Sequence, residues 1–201
     1  MEYGRMENDI ILHGRLDASP GISHCNHGEN FWSFPLTVSR LSGTADRLNV
    51  LVPERMLAGQ TVECGDEVTV RGEVRSYNNR SGLGSRLVIT VLARALVREE
   101  GEDDNRLTLR GVLCKPPIFR CTPLGRNICD MMLAVNRRYG RADYLPCIAW
   151  GTLAHRCAAL SVGDGIRLEG RLQSRTYTKN LGDITQERTA FEVSMMTMLE
   201  E

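Results

Sequence analysis

Shifted by 97 positions, the chain matches itself. Asn8 falls on Asn105, Leu12 on Leu109, Gly14 on Gly111, Leu16 on Leu113, Pro20 on Pro117, Leu36 on Leu133, Val38 on Val135, Arg40 on Arg137, Gly43 on Gly140, Ala45 on Ala142, Asp46 on Asp143 and Leu48 on Leu145. With short slips the match continues through Gly65-Asp66 with Gly163-Asp164, Gly72 with Gly170, and Arg75-Ser-Tyr77 with Arg175-Thr-Tyr177. A repeat of this length is too long for a solenoid unit and has the size of a small domain. Two domains of one fold are therefore expected, 1–98 and 105–201. Between them, at 99–104, lies the run Glu99-Glu-Gly-Glu-Asp-Asp104, five acids that read as a linker. A residue type kept in both copies points to folding; one kept in a single copy points to function.

Charge separates the copies. The net charge of the chain is +0, but residues 8–98 carry 10 arginines against 9 acids, while residues 105–198 carry 14 cations against 7 acids. The second copy is the basic one. Of the 25 cations only Lys115 and Lys179 are lysines, and arginine is the cation that both forks onto phosphate and stacks on bases. No run of eighteen apolar residues exists and Met1 to Asp9 has no signal-peptide core, so a cytoplasmic, nucleoid-associated protein with no membrane partner is expected. Seven cysteines at irregular spacing, among them Cys114, Cys129 and Cys147 in strand-like stretches, suit reduced and mostly buried thiols.

In the second copy, Leu107, Leu109 and Leu113 alternate with polar residues up to Pro116-Pro117, the pattern of a half-buried strand. Four more strands are expected near Asn127–Arg137, Tyr144–Trp150, Ile166–Tyr177 and Thr189–Met198. A short helix over Thr152–Leu160, stopped at Val162-Gly163-Asp164, separates the third from the fourth, and Glu54–Val62 is its counterpart in the first copy. Five strands with a helix between the third and fourth describe an OB-fold, so the expected class is all-β: two tandem five-stranded barrels, each with a short helix. Alternation sends Leu145, Cys147 and Ala149 inward and Tyr144, Pro146, Ile148 and Trp150 outward; on the fourth strand Ile166, Leu168, Gly170 and Leu172 go inward against Arg167, Glu169, Arg171, Gln173, Arg175 and Tyr177. Rings and arginines share the outward face. Single-stranded nucleic acid asks for that pairing, flat rings for the bases and cations along the phosphates.

With these residues in view, the sequence resembles the bacterial single-stranded DNA-binding protein family. The likeness rests on Asn105-Arg-Leu-Thr-Leu-Arg-Gly111, Leu133-Ala-Val-Asn-Arg137, Ile148-Ala-Trp-Gly151, Gly163-Asp164 and Gly170-Arg-Leu-Gln-Ser-Arg-Thr-Tyr177. The resemblance implies stacking aromatics at Tyr139, Tyr144, Trp150 and Tyr177, with Arg137, Arg138, Arg171, Arg175 and Lys179 as the cations between them. In the first copy those aromatic places hold Ser42, Arg47, Pro53 and Tyr77, so that copy is expected to be mainly architectural, with Arg75 and Tyr77 as auxiliary contacts and Phe31, Trp32 and Phe34 assigned to packing. The resemblance further implies single-stranded DNA as the partner in replication, recombination or repair, and a homodimer presenting four OB-folds. The sequence closes on Leu199-Glu200-Glu201, so the family's acidic recruitment tail is not expected. A primosome-like protein-interaction module and single-stranded RNA binding are the alternatives, since stacking platforms accept either polymer.

Other chemistry is not expected. His24-Cys25-Asn26-His27 brings metal-ligand types together but has no second half and no CxxC partner, so no metal is assigned. His155 and Cys157 flank the helix as packing and surface residues. No paired-carboxylate motif, nucleophile elbow or phosphate loop is present, so neither enzymatic activity nor a cofactor is expected. Gly111, Gly163 and Gly170 recur in both copies and are read as structural.

Overall fold

The computed structural model describes residues 7–79, 85–181 and 184–199, the side chains of 179–181, 184 and 186 aside. Among the described residues it is all-β apart from one α-helix and two single 3-10 turns. The chain forms two compact units: Asp9–Arg75 with Ile89–Arg106, and Met1–Asn8 with Ser76–Val88 and Leu107–Glu201. The second unit thus holds not only the second copy but also the far end of a first-copy strand.

The unit built on the first copy uses β1 (Asn8–Leu16), β2 (Gly21–Asn26), β3 (Glu29–Ser39), β4 (Ala45–Pro53), β5 (Glu67–Asn78) and β6 (Leu87–Arg98). Strand β1 pairs antiparallel with both β3, at Leu16↔Leu36, and β5, at Leu12↔Val70. Strand β4 runs antiparallel to β3 and parallel to β6, which neighbours β5, so the five strands form a closed ring. Their period-2 apolar residues fill the interior: Leu12, Leu16, Phe34, Leu36, Leu48, Val50, Val68, Val70 and Val91 are all buried.

The same circuit recurs in β7 (Asp104–Leu113), β9 (Asn127–Asn136), β10 (Ala142–Trp150), β11 (Gly165–Leu181) and β12 (Ile184–Leu199), with β8 (Ile118–Cys121) as an added edge strand on β9. Here β7 pairs with β9 and β11, β9 with β10, β10 in parallel with β12, and β12 with β11. Leu109, Leu113, Leu133, Leu145, Ile166, Leu168 and Val193 form the core. At Gly72 and Gly170 a Cβ would fall inside contact distance of the carbonyl oxygens of Leu92 and Ser194 respectively. Close backbone approach explains why the glycine recurs.

Three expectations need correction. The helix over α1 (Thr152–Ala158) is present and buries Ala154 and Cys157, but its counterpart is a single 3-10 turn, Glu54–Met56, that buries nothing; Gly59, at φ +85°, stands where a longer helix would have to continue. Strands β2 and β8 are additions, formed where the chain after Pro20 and Pro117 folds back onto its neighbour. The β11–β12 hairpin runs well past Tyr177, staying in register to Leu181↔Ile184. Within its own unit the acidic run is hydrogen-bonded: the Glu99 amide donates to the Glu67 carbonyl at 3.2 Å, and the Ser39 amide to Asp103 at 2.7 Å. Among the described residues no helix is long and apolar enough to cross a membrane.

Candidate nucleic-acid interface

The alternation expected of β10 is there. Leu145, Cys147 and Ala149 are buried, while Tyr144 is 51% and Trp150 39% exposed. Cross-strand partners share a face, so the outward side pairs Tyr144 with Ala134, Pro146 with Met132, Ile148 with Asp130 and Trp150 with Ile128, although Ile128 is itself buried. Ile148 departs from the expectation. It lies mid-sheet, in register with Asp130 on one side and Ser194 on the other, and is buried.

Strands β11 and β12 extend this face. Arg175 lies over the Tyr177 ring at 5.8 Å from its centroid, a cation–π arrangement that leaves both residues exposed. Opposite them stand Ala190 and Arg188. Gln173, expected outward, is buried because Glu192 lies across from it and accepts its amide at 2.8 Å; the same carboxylate is 4.0 Å from Arg175. Arg171 is half-buried and Arg138 exposed. The Lys179 side chain lies outside the described residues.

Arg137 has a different role from the one its position suggests. The chain turns back between β9 and β10, closed by the Arg137 amide donating to the Arg141 carbonyl at 2.7 Å, and the guanidinium donates from Nε to Asp143 Oδ2 at 2.6 Å and from Nη2 to Oδ1. Asp143 is fully buried. The first copy repeats the device: Arg40 donates to the buried Asp46, and its amide meets the Thr44 carbonyl at 2.7 Å. Arg40 and Arg137, kept in both copies, are therefore turn-closing groups.

The same turn receives the end of β5. The Ser76 amide donates to Asp143 Oδ1 at 2.5 Å, Arg137 Nη2 donates to the Ser76 carbonyl at 2.9 Å, and the Tyr144 amide donates to Ser76 Oγ at 2.7 Å. These three bonds set Tyr77, the next residue and 55% exposed, beside the strand that carries Tyr144. Tyr139, in the turn, is 95% exposed and has φ +63°, a left-handed conformation uncommon for a residue with a Cβ. Its ring is held out by a backbone that glycine would adopt more easily.

Two cations on the face were not expected. Arg120 of β8 sits in register with Ile128, and Ile128 with Trp150, so it joins the Trp150 row; Asp130 holds it at 2.6 Å and keeps its pKa raised. Arg188 faces Tyr177. The signal for Arg120 was a four-residue strand directly after two prolines, too short for periodicity to register. Phe119, beside it, packs on His155 of α1 with centroids 4.8 Å apart, and His155 Nε2 meets Asn127 Nδ2 at 3.0 Å.

In the first copy, Ser42 is exposed, Pro53 is buried and Arg47 is paired with Asp17 at 2.8 Å. Arg75 is half-buried and ion-paired with Glu73. Phe34 is in the core, whereas Phe31 and Trp32 are only half-buried. The seven cysteines are free thiols, with Cys129, Cys147 and Cys157 buried, Cys114 half-buried and Cys25, Cys64 and Cys121 exposed. Among the described residues no group of three or more His, Cys, Asp or Glu side chains is placed to hold a metal.

Residues 104–199 match the model of the Single-strand binding protein family. Over 85 residues the chain is 35% identical to the single-stranded DNA-binding protein of Halalkalibacterium halodurans, covering 39% of this chain and 51% of that protein. It is 36% identical over 85 residues to single-stranded DNA-binding protein A of Bacillus subtilis, covering 39% of this chain and 49% of that protein. The matched stretch thus spans about half the length of these curated relatives. The crystal structure of the wild-type single-stranded DNA binding protein from Thermus aquaticus has the same fold, with a TM-score of 0.79 and 24% identity over 98% of this chain and 94% of that one. Residues 104–199 thus form a segment similar to the single-strand binding protein family.

Proposed function

We propose that this protein binds single-stranded DNA with little sequence preference, without catalysis, in replication, recombination or repair. One arrangement carries the reading: Tyr144, Trp150 and the Arg175–Tyr177 pair are exposed on the strands of the second unit, rings and cation together. Each ring offers a stack of about 1 to 3 kcal/mol to any base. Tyr139 and Tyr77 add rings at the rim, and Arg138, Arg171, Lys179, Arg120 and Arg188 supply cations. Asp130 and Glu192 hold Arg120 and Arg175 until phosphate competes for them, which keeps the empty face from being a bare positive field.

The two closed strand rings support a reading as tandem OB barrels, one per copy, joined at 99–104, with 105–201 as the main binding module and 1–98 as its framework. A homodimer presenting four barrels is the assembly proposed. Titration of the full chain with poly-dT and poly-U at several salt concentrations tests the function. Affinity should fall steeply with log salt, by a slope near 0.7 per phosphate engaged. A salt-insensitive interaction with other proteins and none with either polymer would replace this reading by the protein-interaction one; preference for poly-U would assign it to RNA.

A further inference from the structure

In the second unit one row of cross-strand partners runs Arg120, Ile128, Trp150. The corresponding row of the first copy, across β2, β3 and β4, runs His24, Phe31, Pro53. By the repeat, Phe31 stands where Ile128 does and Pro53 where Trp150 does. The ring missing at one strand is present on the next, about 4.8 Å away.

We propose that the first unit has its own contact for single-stranded nucleic acid, a base-stacking patch made of His24 and Phe31. The proposal rests on the function proposed above. The two rings stack with centroids 5.0 Å apart and planes 5° from parallel. His24 is exposed, as is every residue of β2, so an imidazole there fills no core. A β-bulge creates the stack: between Ile22 and His24 the register with β3 slips, and the extra residue, Ser23, brings His24 opposite Phe31 instead of leaving it on the face where Ile22 meets Trp32. Ser23 Oγ then lies 3.1 Å from His24 Nδ1. Trp32 is a bystander, directed to the other face, with its indole N–H on Glu54 at 3.4 Å.

The surroundings suit a strand with phosphates. Arg55, two residues beyond Pro53, has a side chain 65% exposed and held by Glu29, the same arrangement by which Asp130 holds Arg120 beside Trp150. A base adding to the His24–Phe31 stack makes a third parallel layer, which ring quadrupoles favour at offset spacing.

The test uses the full chain and thymidine oligonucleotides in which bromodeoxyuridine replaces part of the thymidine. Irradiation crosslinks stacked rings to the base, and peptide mass spectrometry locates them. With an oligonucleotide of about 30 nucleotides, long enough for two modules of about 4 to 16 nucleotides each, adducts are expected on His24 or Phe31 as well as on the second-unit rings. The double variant His24→Gln, Phe31→Leu, which keeps bulk and polarity but removes the stack, should lose about five- to tenfold in affinity for that oligonucleotide. Its circular dichroism should be unchanged. Wild-type protein that binds the oligonucleotide with adducts confined to 105–201 overturns the patch and leaves the function standing. Wild-type protein that does not bind it overturns both. Because the adduct map needs no variant, misfolding of the double variant would not rescue the proposal.

Discussion

Asp143 accepts the Ser76 amide on one carboxylate oxygen, at 2.5 Å, and Arg137 Nε on the other, at 2.6 Å. A single buried acid thereby closes the β9–β10 turn and fixes the end of β5 beside Tyr144. Removing it takes the carboxylate from a largely buried guanidinium and from the Ser76 amide, and breaking such a pair is costly.

Asp143→Ala should therefore lower unfolding free energy by about 3 to 5 kcal/mol. Urea denaturation measures it. Asp46→Ala, which breaks the equivalent pair with Arg40, should destabilise the protein comparably, and a loss below about 1 kcal/mol in both would place these aspartates among ordinary surface acids.

Tyr139→Gly should separate stability from binding. Relieving a left-handed Tyr costs nothing in packing, because the ring is 95% exposed, and should raise stability by up to about 1 kcal/mol. Affinity for poly-dT should fall about fivefold if the ring carries a base, at the low end of about 1 kcal/mol per stack. A variant both more stable and equally tight would show the ring to be idle.

Paired changes at matched positions test the division between copies. Tyr144→Ala with Trp150→Ala should weaken poly-dT binding by one to two orders of magnitude, at about 1 to 3 kcal/mol per base stacked. Arg47→Ala with Pro53→Ala should change it less than threefold, since Arg47 is occupied by Asp17 and Pro53 is buried. Equal losses from the two pairs contradict the assignment of the main platform to 105–201.

The thiols give a pH-dependent prediction. Burial pushes Cys157 from an ordinary 9.0 up to about 11 and raises Cys147 further. An acid that holds its proton more tightly when folded contributes full stability below its unfolded pKa and loses that contribution as pH rises through the folded one. Thermal stability should thus be flat up to pH 9.0 and decline from there through about 11, and Cys147→Ala with Cys157→Ala should flatten that decline. In the native state at pH 8, iodoacetamide should modify Cys25, Cys64 and Cys121 long before Cys129, Cys147 and Cys157.

The alternation of β10 was legible in the sequence because a strand's two-residue period writes its inward and outward sets separately: Leu145, Cys147 and Ala149 against Tyr144 and Trp150. The pairing of Arg137 with Asp143 was hidden for a physical reason. Alternation marks a cation as outward but cannot say that it folds back onto an aspartate six positions on, although the repeat, by keeping both Arg40 with Asp46 and Arg137 with Asp143, already held the answer. Ser76 was beyond reach, since its partners are 61 to 68 positions away. Strand β8 and Arg120 were lost because two prolines mask a segment too short to show a period, and Gln173 because its burial depends on Glu192 in another strand.

The parity of β10 has an evolutionary consequence. Burial falls on its odd positions and on Ile148, and the proposed nucleic-acid contact on Tyr144 and Trp150, so mutation can erase the proposed contact while leaving the core in place. In β4 that separation is visible as history: Leu48, Val50 and Val52 stay buried while Arg47 and Pro53 occupy the places of two rings. A duplicated module of this kind is a ready-made blank, and rewriting its outward positions asks nothing of its core.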